Sequence, residues 1–274
     1  MKINSSGIEF EFMNCSAAQI INRYHVGKIK DDSFNLEPYE LLFLYLKGKI
    51  KPVQEIPEQE IINLLSGKNL FNFYIYLTLK RRGFIIMMEN NIFFFKRIHE
   101  AEYKRLVLIK ENEMVDFLRI FSYVPSYIVT LDEEGGLTYF YASTYDPEGS
   151  VALPDGHEIP SWFGSTIIGI RHFNSFENNY LSKIIESAYD VLYQDLVSRN
   201  FIVKSGFKYG QNFRIYQHSM EDHAEFLVSL MNREYWYKIS RSIRLSSSVR
   251  KKTLIAGFAN NKLEYIIIER LKDI

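Results

Sequence analysis

Tyr216, His223 and Lys251 together hold the parts needed to cut RNA without a metal. A phenol that takes a proton, an imidazole that gives one, and an ammonium that neutralises charge on a phosphate suffice for internal transesterification. In that reaction the 2′-hydroxyl attacks the neighbouring phosphorus and the 5′-oxygen leaves. Singly, each residue has an ordinary reading. One of nineteen tyrosines is usually packing, a loop histidine is usually solvated, and a lysine in a VRKK run usually lies on a wet face. Their placement sets them apart. FRIYQ alternates as a short strand ending at Tyr216, EFLVSL reads as another strand, and the polar QHSMEDH between them puts Tyr216 and His223 at the two ends of one connection. From Lys238 to Leu263 the chain carries Lys238, Arg241, Arg244, Arg250, Lys251, Lys252 and Lys262 and no acid. That footprint suits phosphates, and a solvated helix face is the other reading of it.

The chain around this stretch is that of an interior protein. Its 274 residues suggest two domains of ordinary size, and 47% hydrophobic with 15% aromatic residues supply real cores. A single cysteine, Cys15, permits no internal disulfide and points to a reducing compartment. The start, MKINSSGIEFEF, alternates like a strand and lacks the apolar centre of a signal peptide, and no apolar run approaches the roughly 20 residues that span a bilayer. A cytoplasmic protein without membrane contact is expected. Net charge of zero argues against indiscriminate binding of nucleic acid. No phosphate-binding glycine loop, zinc-spaced cysteines or dinucleotide turn occurs, and Asp132, Glu133 and Glu134, consecutive in a turn, do not form a metal site, so no cofactor is expected.

Helix and strand patterns alternate along the chain and then recur. Asn35-Leu36-Glu37-Pro38 opens a helix through YELLFLYLKG, Pro57 to Glu60 opens another through IINLLSG, and Phe71–Arg82 forms an aromatic-rich helix stopped by Gly83 before the strand FIIMM. FYIYLTLKRRGFIIM (Phe73–Met87) lies over YDVLYQDLVSRNFIVK (Tyr189–Lys204), matching Tyr76 with Tyr193, Leu79 with Leu196, Arg82 with Arg199 and Phe84 with Phe201. YIVTLDEEGGLTYFYAS (Tyr127–Ser143) lies over TLIAGFANNKLEYIIIE (Thr253–Glu269), matching Leu137 with Leu263 and Tyr139 with Tyr265. Two diverged copies of one α+β module are expected: residues 1–145, a linker at 146–164 marked by Pro147, Gly149, Pro154 and Pro160, and residues 165–274. After the linker, TIIGI reads as a strand. LSKIIESAYDVLYQDLVSR reads as one helix with Leu181, Ile184, Ile185, Ala188, Leu192 and Leu196 on a core-facing stripe. The first copy lacks the chemistry, because SYVPS stands where the second has SVRKK, setting Pro125 opposite Lys251, and His99 has no lysine partner.

The residues GFKYGQNFRIYQ, then HAEFLV, then RLSSSVRKK resemble the catalytic half of the archaeal tRNA-splicing endonucleases. The resemblance is strongest over about Ala188–Ile268 and weaker over Ile20–Ser143. It implies the nuclease-like fold of that family for the second copy, with Tyr216 as general base, His223 as general acid and Lys251 as stabiliser of the transition-state phosphate. Arg244, seven residues before the lysine, falls where the family carries an arginine that stacks on a bulged base. Ser247 departs from members that have a histidine there and takes no role. The two-copy layout resembles the branch that acts as a homodimer of fused units. It implies that an acidic turn, here Asp132, Glu133 and Glu134, bridges from one chain to the catalytic copy of the other, while neutral drift at a turn is the other reading of its charge. The activity implied is excision of introns from precursor tRNA at bulge-helix-bulge junctions, leaving a 2′,3′-cyclic phosphate and a 5′-hydroxyl. A structural subunit served by another catalytic chain is a rival reading, weakened by retention of all three residues. A metal-dependent DNA nuclease of related fold is another, weakened by the absence of a strand-borne Asp with a Glu-x-Lys motif in the catalytic copy.

Overall fold

The protein is described here by a computed structural model, which covers residues 2–5, 8–30, 33–66, 70–89, 92–154 and 158–274. Gly67 at the end of IINLLSG, Asn90 and Asn91 of the hairpin ENNIFFFKR, and Met1, Ser6 and Gly7 of the expected first strand lie outside the described residues. The chain divides into two compact units, Met1–Leu106 and Val107–Ile274.

In the first unit the order is β1 (Lys2–Ser5), β2 (Ile8–Phe12), α1 (Ala17–Tyr24), β3 (Lys28–Lys30), β4 (Ser33–Asn35), α2 (Pro38–Leu46), β5 (Ile50–Pro52), α3 (Glu58–Ser66), α4 (Leu70–Arg81), β6 (Ile85–Glu89), β7 (Ile92–Lys96) and β8 (Lys104–Leu108), the last reaching past the division. Pro38 opens α2 because the first helical position needs no amide hydrogen, and Glu37 and Glu40 close a reciprocal cap there. Helix α4 buries Phe73, Ile75, Tyr76 and Leu79. Gly83, at φ +84°, then turns the chain into β6. Strands β6 and β7 pair antiparallel with Ile86 opposite Phe95, and β8 follows with Leu106 opposite Phe93.

The second unit continues with β9 (Met114–Asp116), α5 (Phe117–Phe121), β10 (Ser126–Leu131), β11 (Leu137–Thr144), β12 (Ser165–Ile167), β13 (Ile170–His172), α6 (Ser175–Ser182), α7 (Ala188–Ser198), β14 (Ile202–Ser205), β15 (Phe213–Tyr216), β16 (Phe226–Leu230), β17 (Arg233–Tyr235), α8 (Trp236–Ser248), β18 (Lys252–Ala259) and β19 (Lys262–Leu271). Its sheet runs β14-β15-β16-β18-β19-β11-β10. The pairs β14–β15, β15–β16, β18–β19, β19–β11 and β11–β10 are antiparallel, while the crossover helix α8 makes β16 and β18 parallel. Both faces are covered. Leu254 and Ala256 of β18 join Leu192, Tyr193 and Leu196 of α7 in one core, while Ile255 and Ala259 join Trp236, Ile239 and Ile243 of α8 in the other. Burial on two faces explains why TLIAGFA reads as an almost unbroken apolar run rather than an alternation. Helix α8 buries Trp236, Ile239, Ser240, Ile243 and Ser246 along one stripe, leaving Lys238, Arg241 and Arg244 exposed.

The order α4-β6-β7-β8-β9-α5-β10-β11 matches α7-β14-β15-β16-β17-α8-β18-β19 element for element. The matched pairs Tyr76 and Tyr193, Leu79 and Leu196, and Phe84 and Phe201 are all buried. Two expectations need correction. The single helix expected over 181–199 is two, because Lys183 takes a left-handed conformation and Ser187 restarts the chain as the cap of α7 in a reciprocal box with Asp190. Leu192 and Leu196 are core as expected, but Leu181, Ile184 and Ile185 are exposed, since the break removes them from the stripe. The TIIGI strand is a hairpin, β12 paired with β13. The segment marked by prolines and glycines is packed at several points, with Trp162 and Phe163 buried in the core around α7.

Candidate active site

Three strand ends meet where the candidate residues stand. Tyr216 is the last residue of β15, paired with Ile202 on β14, and the next pair across, Ile215 with Phe226, brings it level with the start of β16. Because β18 runs parallel to β16 with Lys252 opposite Phe226, Lys251 arrives at that same start. The loop between β15 and β16 carries His223, exposed, one residue before the buried Ala224. Adjacent strands lie about 4.8 Å apart, so the ends of β15 and β18 are separated by roughly 10 Å across the start of β16. The span fits a phosphodiester placed over the middle strand.

Each residue is held by local chemistry. Helix α8 ends at Ser248, Arg250 takes φ +55°, and the Lys251 amide returns to the Ser246 carbonyl at 2.9 Å. Lys251 Nζ then donates to the Ala224 carbonyl at 2.5 Å, and the Lys252 amide to the Glu225 carbonyl at 3.0 Å. Tyr216 is buried, with the Arg214 guanidinium 5.7 Å from its ring centre. The Gln217 amide donates to Glu225 Oε2 at 3.0 Å, closing the loop base behind the tyrosine.

A second layer was missed from the sequence. Residues 146–151 strap across the start of the β15–β16 loop. Ser150 Oγ donates to the Gln217 carbonyl at 3.0 Å and meets His218 Nδ1 at 2.6 Å, and the Gln217 side chain reaches the Glu148 carbonyl at 3.2 Å. Gly149 makes this possible, for a Cβ there would meet the Asn200 carbonyl oxygen at 2.1 Å. The first histidine in QHSMEDH, His218, was the one available signal. It gave no partner.

Arg244 lies on the exposed side of α8, the helix whose end delivers Lys251, and Ser247 is exposed in its last turn. The structure does not join Arg244 to the other three. His99 is exposed in the first unit. Pro125 immediately precedes β10, as Lys251 precedes β18, and offers no charge. The acidic turn closes the β10–β11 hairpin, and β19 lies between that hairpin and β18. Its Asp132 Oδ1 accepts from the amides of Glu134 at 3.1 Å and Gly136 at 2.6 Å, while Glu133 and Glu134 are exposed. Between α8 and the β16–β17 connection lies a cleft of about 630 Å³ lined by Arg233, Lys238 and Arg241. Its wall includes two buried polar atoms without a protein partner, Gln211 Nε2 and Thr253 Oγ1. One acid, Glu234, also lines it and is spent on Lys238 at 3.0 Å.

Tyr216, the loop that carries His223 and Lys251 thus stand at neighbouring strand ends of one mixed sheet. Residues 186–265 match the family model of the tRNA intron endonuclease catalytic C-terminal domain. Over nearly its whole length the chain is similar to two proteins named tRNA-splicing endonuclease. That of Picrophilus torridus is 35% identical over 286 residues, covering 99% of this chain and 98% of the relative. That of Thermoplasma volcanium is 34% identical over 271 residues, covering 93% and 92%. A shorter match, 38% over 87 residues, links it to the tRNA-splicing endonuclease of Methanosarcina barkeri. The chain belongs to the tRNA-splicing endonuclease family and is an endonuclease. No described helix is long and apolar enough to cross a membrane.

Proposed function

We propose that the protein excises introns from precursor tRNA at bulge-helix-bulge junctions by transesterification that needs no metal. Tyr216 takes the 2′-hydroxyl proton, His223 protonates the departing 5′-oxygen, and Lys251 neutralises the phosphorane, leaving a 2′,3′-cyclic phosphate and a 5′-hydroxyl. The observation that carries this reading is the bond from Lys251 Nζ to the carbonyl of Ala224, next to His223, at the end of the strand neighbouring that of Tyr216. Arg244, exposed on the helix leading to Lys251, is the stacking partner for a bulged base.

The chain works as two diverged repeats, residues 1–145 and 165–274 joined by 146–164, and two chains form a homodimer. The recurring element order supports the repeats. The dimer is supported by charge: the exposed Glu133 and Glu134 of one chain suit the cleft of Arg233 and Arg241 on another. The deciding experiment incubates purified protein with a bulge-helix-bulge RNA in EDTA. Cleavage at both junctions with cyclic-phosphate ends is expected, and replacing the 2′-hydroxyl at the cut site with hydrogen abolishes it. Cleavage that appears only with added magnesium, or only with a second protein chain, overturns the reading.

A further inference from the structure

Phe207 is 88% exposed, more than any other aromatic side chain among the described residues. A ring left in water is informative when the backbone beneath it is rigid, because flexibility then does not explain its position. Residues Phe207–Tyr209 form one 3₁₀ turn, with the Tyr209 amide bonded to the Gly206 carbonyl at 2.8 Å and the Gly210 amide to the Phe207 carbonyl at 3.0 Å. Both flanking glycines are required. Gly206 bonds Asn212 across the turn at 3.0 Å and has no room for a Cβ, which would meet the Gln211 and Phe213 carbonyl oxygens at 2.8 and 2.9 Å. Gly210 sits at φ +67°. The turn is built to hold its ring outward.

It is also built next to the chemistry. The Tyr209 ring centre lies 6.0 Å from Lys251 Nζ and 5.0 Å from Lys208 Nζ. Arg214 stands over Tyr216, and Ser205 to Tyr216 includes no acid. An exposed flat ring among cations, with no anion on the same segment, matches a ligand that is aromatic and polyanionic at once. Unpaired nucleotides have both properties, and stacking on aromatic side chains is how proteins hold bases released from a helix. A single ring is too small an apolar patch to argue for a protein partner.

We propose that Phe207 is a stacking platform for an unpaired base of the RNA, placed beside the phosphate that Lys251 contacts. The proposal rests on the reading that bulged RNA is the substrate. Its test measures affinity for a bulge-helix-bulge RNA carrying 2′-deoxy nucleotides at both cut sites, so that binding is read without cleavage. Phe207→Ala should weaken binding roughly 5- to 150-fold, the range for loss of one base–aromatic stack, while Phe207→Tyr keeps wild-type affinity. Replacing the stacked bulge nucleotide with an abasic one should cost the wild type the same factor and cost Phe207→Ala nothing further. Unchanged affinity of Phe207→Ala overturns the platform. If that variant also shifts the sedimentation of the protein, the ring belongs to a contact between copies. Failure of the wild type to cleave in EDTA would instead count against the proposed reaction, which this binding comparison does not use.

Discussion

Lys251 and Ala224 are tied by a 2.5 Å bond from ammonium to carbonyl, linking the residue that precedes β18 to the residue that follows His223. Twenty-seven positions apart in sequence, they are neighbours because α8 returns the chain parallel to β16. The tie gives the lysine two tasks, aiming its own charge and fixing the base of the histidine loop.

Removing any member of the trio should therefore be costly in rate. Tyr216→Phe, His223→Ala and Lys251→Ala are each expected to slow single-turnover cleavage by about 10²-fold or more, the ordinary contribution of a positioned acid or base. RNA affinity should change little. A His223→Ala protein that cut at the wild-type rate would remove the general acid from this loop.

The strap at 146–151 predicts a smaller effect of different kind. Ser150→Ala removes the bonds to the Gln217 carbonyl and to His218, whereas Ser150→Thr can keep both. Gly149→Ala should lift the strap, since its new methyl meets the Asn200 carbonyl. Single-turnover rates should fall several-fold in Ser150→Ala and Gly149→Ala and recover in Ser150→Thr. Equal rates in all three would make the strap a matter of packing alone.

Arg244 tests recognition apart from chemistry. A guanidinium plane stacked on an unpaired base contributes roughly 1–3 kcal/mol. Arg244→Ala should lower the preference for bulged over fully paired RNA, and Arg244→Lys should restore only part of it, because the flat face is gone. Undiminished discrimination in Arg244→Ala, measured by competition binding, would take the residue out of the site.

What could be read from the chain beforehand follows from range. The connection from Tyr216 to His223 was legible because it is short and polar between two alternating runs, and α2 and α4 were legible from Pro38 and Gly83. The break before α7 was not, since Leu181, Ile184, Ile185 and Ala188 continue a helical spacing straight across it. Only Ser187 and Asp190, a cap in the middle of that pattern, argued otherwise. The contact of Ser150 with His218 spans 68 positions and depends on a glycine's closeness to a carbonyl, which no local pattern encodes. Prolines and glycines at 147–160 mark turns without saying whether the rings beside them, Trp162 and Phe163, are buried.

In the first unit, Lys80 should leave a mark on stability against pH. It is buried and donates to the Tyr24 and His25 carbonyls at 2.9 and 3.0 Å. Loss of water lowers its pKa from 10.5 to about 8, with Glu40 opposing in part. Between those values the unfolded chain binds the extra proton, so this group makes stability rise with pH from about 8 towards 10.5 and withholds that gain below 8. Urea midpoints measured across that window should climb less, or fall more, in Lys80→Met than in the wild type. Parallel curves would show that the lysine keeps an ordinary affinity for its proton.

The last prediction separates two functions within one acidic turn. Asp132 is spoken for, because its carboxylate accepts from the Glu134 and Gly136 amides and its own amide donates to the Gly136 carbonyl at 3.1 Å. Substituting it opens the turn whatever the turn does. The side chains of Glu133 and Glu134 have no such duty to the hairpin: both residues are exposed, and Glu133 Oε1 accepts from Asn112 Nδ2 at 3.4 Å. The β18–β19 hairpin, which holds the corresponding place in the element order, makes its turn with Asn260 and Asn261 in left-handed conformations and carries no acid. Charge is thus not what a hairpin at this position needs. If Glu133 and Glu134 dock against Arg233 and Arg241 of a second chain, truncating one side costs on the order of 2–5 kcal/mol and the contact weakens with salt. Glu133→Gln with Glu134→Gln should shift sedimentation from dimer towards monomer and lose cleavage with every catalytic residue intact. Pairing Glu133→Lys and Glu134→Lys with Arg233→Glu and Arg241→Glu should restore both. A double-glutamine variant that remains a fully active dimer would leave the turn with no part in assembly.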